Sequence, residues 1–238
     1  MFITYVINLN SSKDRWRRTL LELSNANVNR VERFVAIDGS KHTDHSNVTS
    51  LCKQICTKEM IGCALSHIAV ANVFSRSNED YCVVVEDDVR ILNPSTFVSD
   101  VQRLYRVHKE KEVVRLFCQG LCYTKARFAG STAAYILTRK GASVIKGMNV
   151  SYHIDLMLNH LNIHNEQLVS TYDDERVYAN PFDNMKIMNQ RVGFWGTQTI
   201  FQIPYTTVKV NFKKLILFVF LFLFIFISVI VLCLLYYK

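Results

Sequence analysis

Apolar residues fall along this chain in two rhythms: short unbroken runs, and longer stretches at helical spacing. "FITYVINL" (residues 2–9) and the apolar run 81–86 read as strands buried on both faces. "RFVAIDG" (33–39), 113–117 and 133–137 read as further strands. In "KDRWRRTLLELSNA", Trp16, Leu20 and Leu23 lie near helical spacing, with Ser11 or Ser12 placed to cap the helix. Helices are also predicted over 60–74, from Ser95 to about Val107 after Pro94, from Thr138 through Ala142 and Ile145, and over 154–161. Residues 41–50 are polar and predict a loop; beyond Leu168 the pattern weakens and predicts loops with a short appended segment. Strand alternating with helix argues for an α/β sheet covered on both sides, where ligands collect at the carboxyl ends of the strands. Asn8 and Asn10, Asp38, and the run Glu86, Asp87, Asp88 stand at three such ends and point to one crevice.

The tail changes the picture. Residues 215–235, "LILFVFLFLFIFISVIVLCLL", are 21 in number and carry no charge, Pro or Gly. At about 1.5 Å per residue they are long enough for a hydrocarbon core of roughly 30 Å. The expected organisation is therefore a domain over 1–208, a basic juxtamembrane linker over 209–214 and a transmembrane helix over 215–235. The amino terminus has no basic region leading into a long apolar core, so the expectation is a tail-anchored, single-pass membrane protein. Lys209, Lys213 and Lys214 precede the apolar segment and Lys238 follows it, which places the domain on the cytosolic side.

The net charge of +8 includes three lysines flanking that segment. The remaining excess suits a phosphate-bearing ligand, an anionic membrane surface or ordinary solvated charge. With no basic run interleaved with aromatics, no nucleic-acid partner is expected. The 7 cysteines include two C-x3-C pairs, Cys52 with Cys56 and Cys118 with Cys122. That spacing is compatible with zinc, but the expectation is reduced, buried thiols, as suits a cytosolic domain.

Three carboxylates at a strand end want a cation, a hydrogen-bond network or open water. In extended backbone Glu86 and Asp88 share a face and Asp87 points away. Oxygen ligands of this kind suit Mn²⁺ or Mg²⁺ held against phosphate oxygens; the competing reading is a capped turn with solvated acids. Adjacent Ser66 and His67 on one helix do not face each other, and no G-x-S-x-G elbow occurs, which excludes a serine-hydrolase reading. Neither a Walker A motif nor a G-x-G-x-x-G fingerprint is present for a nucleotidyl- or phosphotransferase.

Five segments, "INLNSSKDRW", "AIDGS", "GCALSHIAVANVF", "VVVEDDV" and "GSTAAYILTRKGA", occur in that order. Together they resemble glycosyltransferase family 25, the lipopolysaccharide-type and collagen galactosyltransferases, over roughly residues 2–161. The resemblance implies a GT-A type nucleotide-sugar-binding α/β sandwich and transfer of a hexose, often galactose, from a UDP-sugar with inversion. The hydroxyl acceptor, whether glycan, lipid or protein, is left open, and the membrane is an expected partner. It implies Glu86 and Asp88 as contacts for Mn²⁺ or Mg²⁺, and Asn8, Arg15, Asp38 and Gly39 as nucleotide-pocket residues. Arg15 is either a phosphate partner or a solvated helix residue, and His67 either a donor-pocket hydrogen-bond donor or a satisfied core histidine. Asp155 is the candidate general base or a helix-capping acid, with His153, His160 and the Asp173–Asp174 pair as rivals. The alternative reading is a catalytically silent, membrane-tethered nucleotide-sugar-binding protein of the same fold.

Overall fold

The computed structural model describes residues 2–117 and 131–172, the backbone of three strands over 186–192, 196–203 and 206–210, and residue 222. The strands are β1 (Ile3–Asn8), β2 (Val31–Val35), β3 (Tyr81–Glu86), β4 (Val89–Ile91), β5 (Val113–Arg115), β6 (Ala134–Thr138), β7 (Ile163–Asn165), β8 (Val169–Thr171), β9 (Lys186–Val192), β10 (Gly196–Ile203) and β11 (Thr206–Val210). The helices are α1 (Lys13–Asn25), α2 (Ser50–Ile55), α3 (Lys58–Phe74), α4 (Phe97–Val107), α5 (Arg139–Ile145) and α6 (Ile154–Met157). A single 3-10 turn (Leu158–His160) follows α6.

Six strands form the central sheet in the order β2-β1-β3-β6-β5-β7. β1 pairs in parallel with β2 and β3, and β5 with β7, whereas β6 runs antiparallel to both β3 and β5. The strands β1 and β3 are apolar on both faces because both faces are covered. Ile3, Tyr5, Ile7, Cys82 and Val84 pack on one side with α3; Val6, Val83 and Val85 pack on the other with Leu23 of α1 and Phe97, Val101 and Leu104 of α4. This two-residue alternation runs on to Glu86, which emerges on the α3 side.

Side chains fix the helix starts. The Thr57 hydroxyl accepts from the Met60 N–H at the head of α3, and Thr138 from the Gly141 N–H at the head of α5. Ser12 stands at the N-cap of α1, but its side chain makes no cap hydrogen bond.

Several expectations are corrected. Among the described residues no helix is long and apolar enough to cross a membrane. The longest, α3, has 17 residues and opens on Lys58 and Glu59, against about 20 predominantly apolar residues for a span. The C-terminal transmembrane helix in the expected fold class, the tail anchoring, the membrane localisation with a cytosolic domain and the membrane as partner are therefore not carried further. Apart from residue 222, the segment 215–235 lies outside the described residues, as do Cys118, Cys122 and the Asp173–Asp174 pair. Cys52 and Cys56 are not reduced: they form a disulfide, because the end of α2 holds their Cα atoms 4.9 Å apart, within bridging range. The weak pattern beyond Leu168 conceals β8, which pairs with β4, and the antiparallel β9–β10–β11. β11, the last described strand, ends at Val210.

Candidate functional site

Parallel pairing aligns the carboxyl ends of β1, β2 and β3, with Ile7 opposite Glu86 and Asn8 opposite Val35. A crevice of about 260 Å³ opens there, lined among others by Arg15, Asp38, Gly39, Cys63, His67, Glu86 and Asp87.

Glu86 turns toward α3. Its Oε1 lies 3.3 Å from His67 Nε2 and 2.8 Å from Thr132 Oγ1, and its side chain is 29% exposed. Burial pushes its pKa up, but the hydrogen bond and charge of His67 outweigh that and hold it below the usual carboxylate value. His67 itself is fully buried, with Nδ1 2.9 Å from the Tyr135 hydroxyl. Burial raises the Tyr135 pKa well above its ordinary value, so the phenol keeps its proton. With that proton donated to Nδ1, the Nε2–H faces Glu86; with Nδ1 protonated, the phenol accepts and Nε2 presents a lone pair.

Asp87 and Asp88 turn the other way, to α1. Arg15 Nη2 reaches Asp87 Oδ1 at 2.7 Å and Asp88 Oδ2 at 3.0 Å. The expected sharing of a face by Glu86 and Asp88 fails because β3 ends at Glu86 and a turn over 87–88 breaks the alternation. Asn8 is buried and is not among the crevice-lining residues. It donates to Asp87 Oδ2 and to the Ser12 carbonyl (3.0 Å), and accepts from Arg33 Nε at 2.9 Å. It positions the acidic turn. Burial lifts the Asp87 pKa above the carboxylate norm despite Asn8 and Arg15.

Asp38 lies on the crevice wall, its pKa lowered by hydrogen bonds from the Ser40 hydroxyl, the Lys41 ammonium and the Ser40 amide. Gly39 beside it is required by contact: a Cβ there would sit 1.7 Å from the Lys58 carbonyl oxygen. Ser66 is structural, accepting from the Ile37 N–H at 2.8 Å and donating to the Gly62 carbonyl at 2.7 Å.

Asp155 reaches the site through Thr132. The Thr132 N–H and Oγ1 both lie 2.7 Å from Asp155 Oδ1, while His153 Nδ1 lies 2.9 Å from Oδ2. Burial opposes ionisation of Asp155, yet the charge and hydrogen bond of His153, with Thr132, bring its pKa down to about 2. Thr132 Oγ1 thus touches two carboxylates with a single proton to give. Buried Arg115 donates to the Asp155 carbonyl (2.7 Å) and to Asn159 (2.8 Å), pinning α6 beneath the site. His160 ends the 3-10 turn and does not line the crevice. Thr132, Tyr135, Cys63 and Arg115 were missed by sequence reasoning. The segments "GSTAAYIL" and "GCALSH" carry a signal for Thr132, Tyr135 and Cys63; Arg115 lies in none of the five segments.

The profile of glycosyltransferase family 25 (LPS biosynthesis protein) matches residues 1–126, just over half of the chain. The chain belongs to this family. Membership supports a sugar-transfer activity, and the matched residues include every lining group of the crevice named above. No curated protein matches the chain. Among solved structures, the galactosyltransferase LgtC in complex with donor and acceptor sugar analogues is 7% identical, covering 69% of this chain and 73% of that one, with a TM-score of 0.39. That likeness is too small to reason from.

Glu86 and Asp88, the expected contacts for Mn²⁺ or Mg²⁺, are not brought together on one face. The two carboxylates face different elements, and the Arg15 guanidinium already supplies the positive charge at Asp88.

Proposed function

We propose that this member of family 25 transfers a hexose, galactose being the expected sugar, from a UDP-sugar to a hydroxyl acceptor with inversion, on a GT-A type sheet. The observation that carries the reading is the convergence of Arg15, Asp38, Glu86 and Asp87 on one crevice at three aligned strand ends. Arg15 is 44% exposed in its side chain and can turn its remaining N–H groups to a diphosphate, which guanidinium geometry favours. Asp87 and Asp88, held by Arg15 and Asn8, keep that guanidinium aimed at the crevice mouth. Asp38 supplies an acceptor for nucleotide hydroxyls, and Gly39, packed against the Lys58 carbonyl of α3, fixes the segment that carries it on the crevice wall.

Removal of the acceptor hydroxyl's proton falls to the Asp155–His153 pair. A base works best with a pKa near the operating pH, so Asp155, at about 2, is weak alone. His153, in contact with it, is the member suited to hold the proton while Asp155 orients the imidazole. No step is assigned to a Mn²⁺ or Mg²⁺ ion at Glu86 and Asp88.

The test is a panel of UDP-sugars incubated with the full chain and acceptor mixtures, reading UDP release and calorimetric UDP binding. Turnover with one UDP-hexose, and a rise in donor KM in Arg15→Gln, are expected. Tight UDP-sugar binding without release in any mixture would favour the silent binding protein. Absence of UDP binding would overturn the reading.

A further inference from the structure

Three side chains at the floor of the crevice converge in a way that sugar transfer as described does not use. Cys63 and His67 are four residues apart on α3 and so lie on one side of it, and Glu86 meets them from the end of β3. One ligand atom from each lies within 4.8 Å of the other two. The His67 Nε2 to Glu86 Oε1 separation of 3.3 Å is long for a charge-assisted hydrogen bond, which runs about 2.7–2.9 Å. It is close to the edge, roughly 3.3 Å, between N and O ligands that each stand about 2.0–2.1 Å from a tetrahedral ion.

The surroundings support a cation in two independent ways. Tyr135 holds the other ring nitrogen of His67, the outer-shell contact that orients a ligating imidazole. Thr132 has one hydroxyl proton for two carboxylate oxygens, so a cation on Glu86 would leave that proton to Asp155.

We propose that Cys63, His67 and Glu86 form an open three-ligand site for a borderline divalent cation of the Zn²⁺ class, with its fourth position facing the crevice. Thiolate and imidazole donors select against Mg²⁺ and Mn²⁺, which favour all-oxygen shells. The protons balance. On binding, the Cys63 thiol releases one proton to solvent. The proton on His67 Nε2 is exchanged for one on Nδ1, held by the Tyr135 oxygen. One thiolate and one carboxylate then neutralise the ion, so the partly buried site carries no net charge. The proposal stands apart from the donor chemistry and does not require it.

Co²⁺ is the probe, added to the metal-free full chain and followed by its thiolate-to-cobalt charge-transfer band. The band is expected to appear, to be displaced by Zn²⁺ and not by equal Mn²⁺ or Mg²⁺, and to vanish in Cys63→Ser. Glu86→Gln keeps the thiolate and is expected to weaken Co²⁺ binding, and Tyr135→Phe to weaken it roughly 10–100-fold. Circular dichroism verifies that each variant folds. A band unchanged in Cys63→Ser, or Co²⁺ affinity unchanged in Glu86→Gln, overturns the site. Calorimetric UDP binding is read on the same protein: UDP bound with no cobalt band refutes the metal site alone, and a cobalt band without UDP binding refutes the donor reading alone.

Discussion

Replacing Asn8 by alanine separates a positioning role from a ligand-contacting one. The wild-type side chain is 1% exposed and serves three partners: its Nδ2 donates to Asp87 Oδ2 and the Ser12 carbonyl, and its Oδ1 accepts from Arg33. Asp87 is itself only 7% exposed. Its lost hydrogen bond is one to a charged acceptor, worth about 1.5–3 kcal/mol. Arg33 keeps a contact to the Leu9 carbonyl at 3.4 Å and can reach water, so its loss is smaller, about 0.5–1 kcal/mol. The Ser12 carbonyl keeps the Trp16 N–H at 3.1 Å, so its loss adds little, and the sum is a destabilisation of about 2–4 kcal/mol, a fall in Tm of roughly 5–15 °C for a domain of this size. The deficit has a pH signature. The folded pKa of Asp87 is already raised by burial, and loss of the Asn8 donor raises it further. The penalty is therefore full at neutral pH and shrinks as the pH falls and Asp87 takes up a proton. Denaturant unfolding at neutral and at acid pH measures both. A loss below about 1 kcal/mol, or one that grows on acidification, would refute the assignment of Asn8 to holding the acidic turn.

Gly62→Ala is expected to destabilise the fold by about 1–3 kcal/mol, since overpacking has no flexible side chain to absorb it here. The new Cβ would sit 2.5 Å from the Ile37 carbonyl oxygen and 2.6 Å from the Gly39 amide nitrogen. An unchanged or raised Tm would show that the close approach of the β2–α2 connection to α3 is not as described. Asp155→Asn tests the low pKa of that carboxyl. A group lowered from 3.8 to about 2 contributes stability present above 3.8 and lost as the pH falls through about 2. The contribution is about 2 kcal/mol, so the variant should lose that much at neutral pH and show a flatter acid limb. An unaltered acid limb would count against the His153 and Thr132 contacts.

Much of the crevice was legible along the chain. The strand ends at Asn8 and Glu86 could be placed because apolar runs stop at polar residues, a local signal, whereas β2 ends at Val35, short of the expected Asp38. Ser12, read as the cap of α1, stands at its N-cap without a side-chain cap bond, while the caps that do form, Thr57 and Thr138, were not read as such. The partners of each carboxylate were not legible. Whether Glu86 and Asp88 shared a face hung on where β3 ended, and one turn moved Asp88 to the Arg15 side. The disulfide between Cys52 and Cys56 also escaped, because residues 51–59 carry no clear pattern and the helix that brings the two together, α2, is only six residues long.

By itself the sequence determined the alternation that sends Glu86 to the α3 face and Asp87 to the α1 face, and the spacing that puts Cys63 and His67 on one side of α3. These follow from the periods of strand and helix, which any stretch of chain carries within itself. Only the tertiary structure decided what meets Glu86 there. β6 enters the sheet antiparallel to β3, so Thr132, two residues ahead of β6, arrives beside the last residue of β3, and Tyr135 pairs opposite Val84 to reach His67. Strand order and direction arise from pairings between segments some fifty residues apart, and no local pattern encodes which neighbour a strand takes.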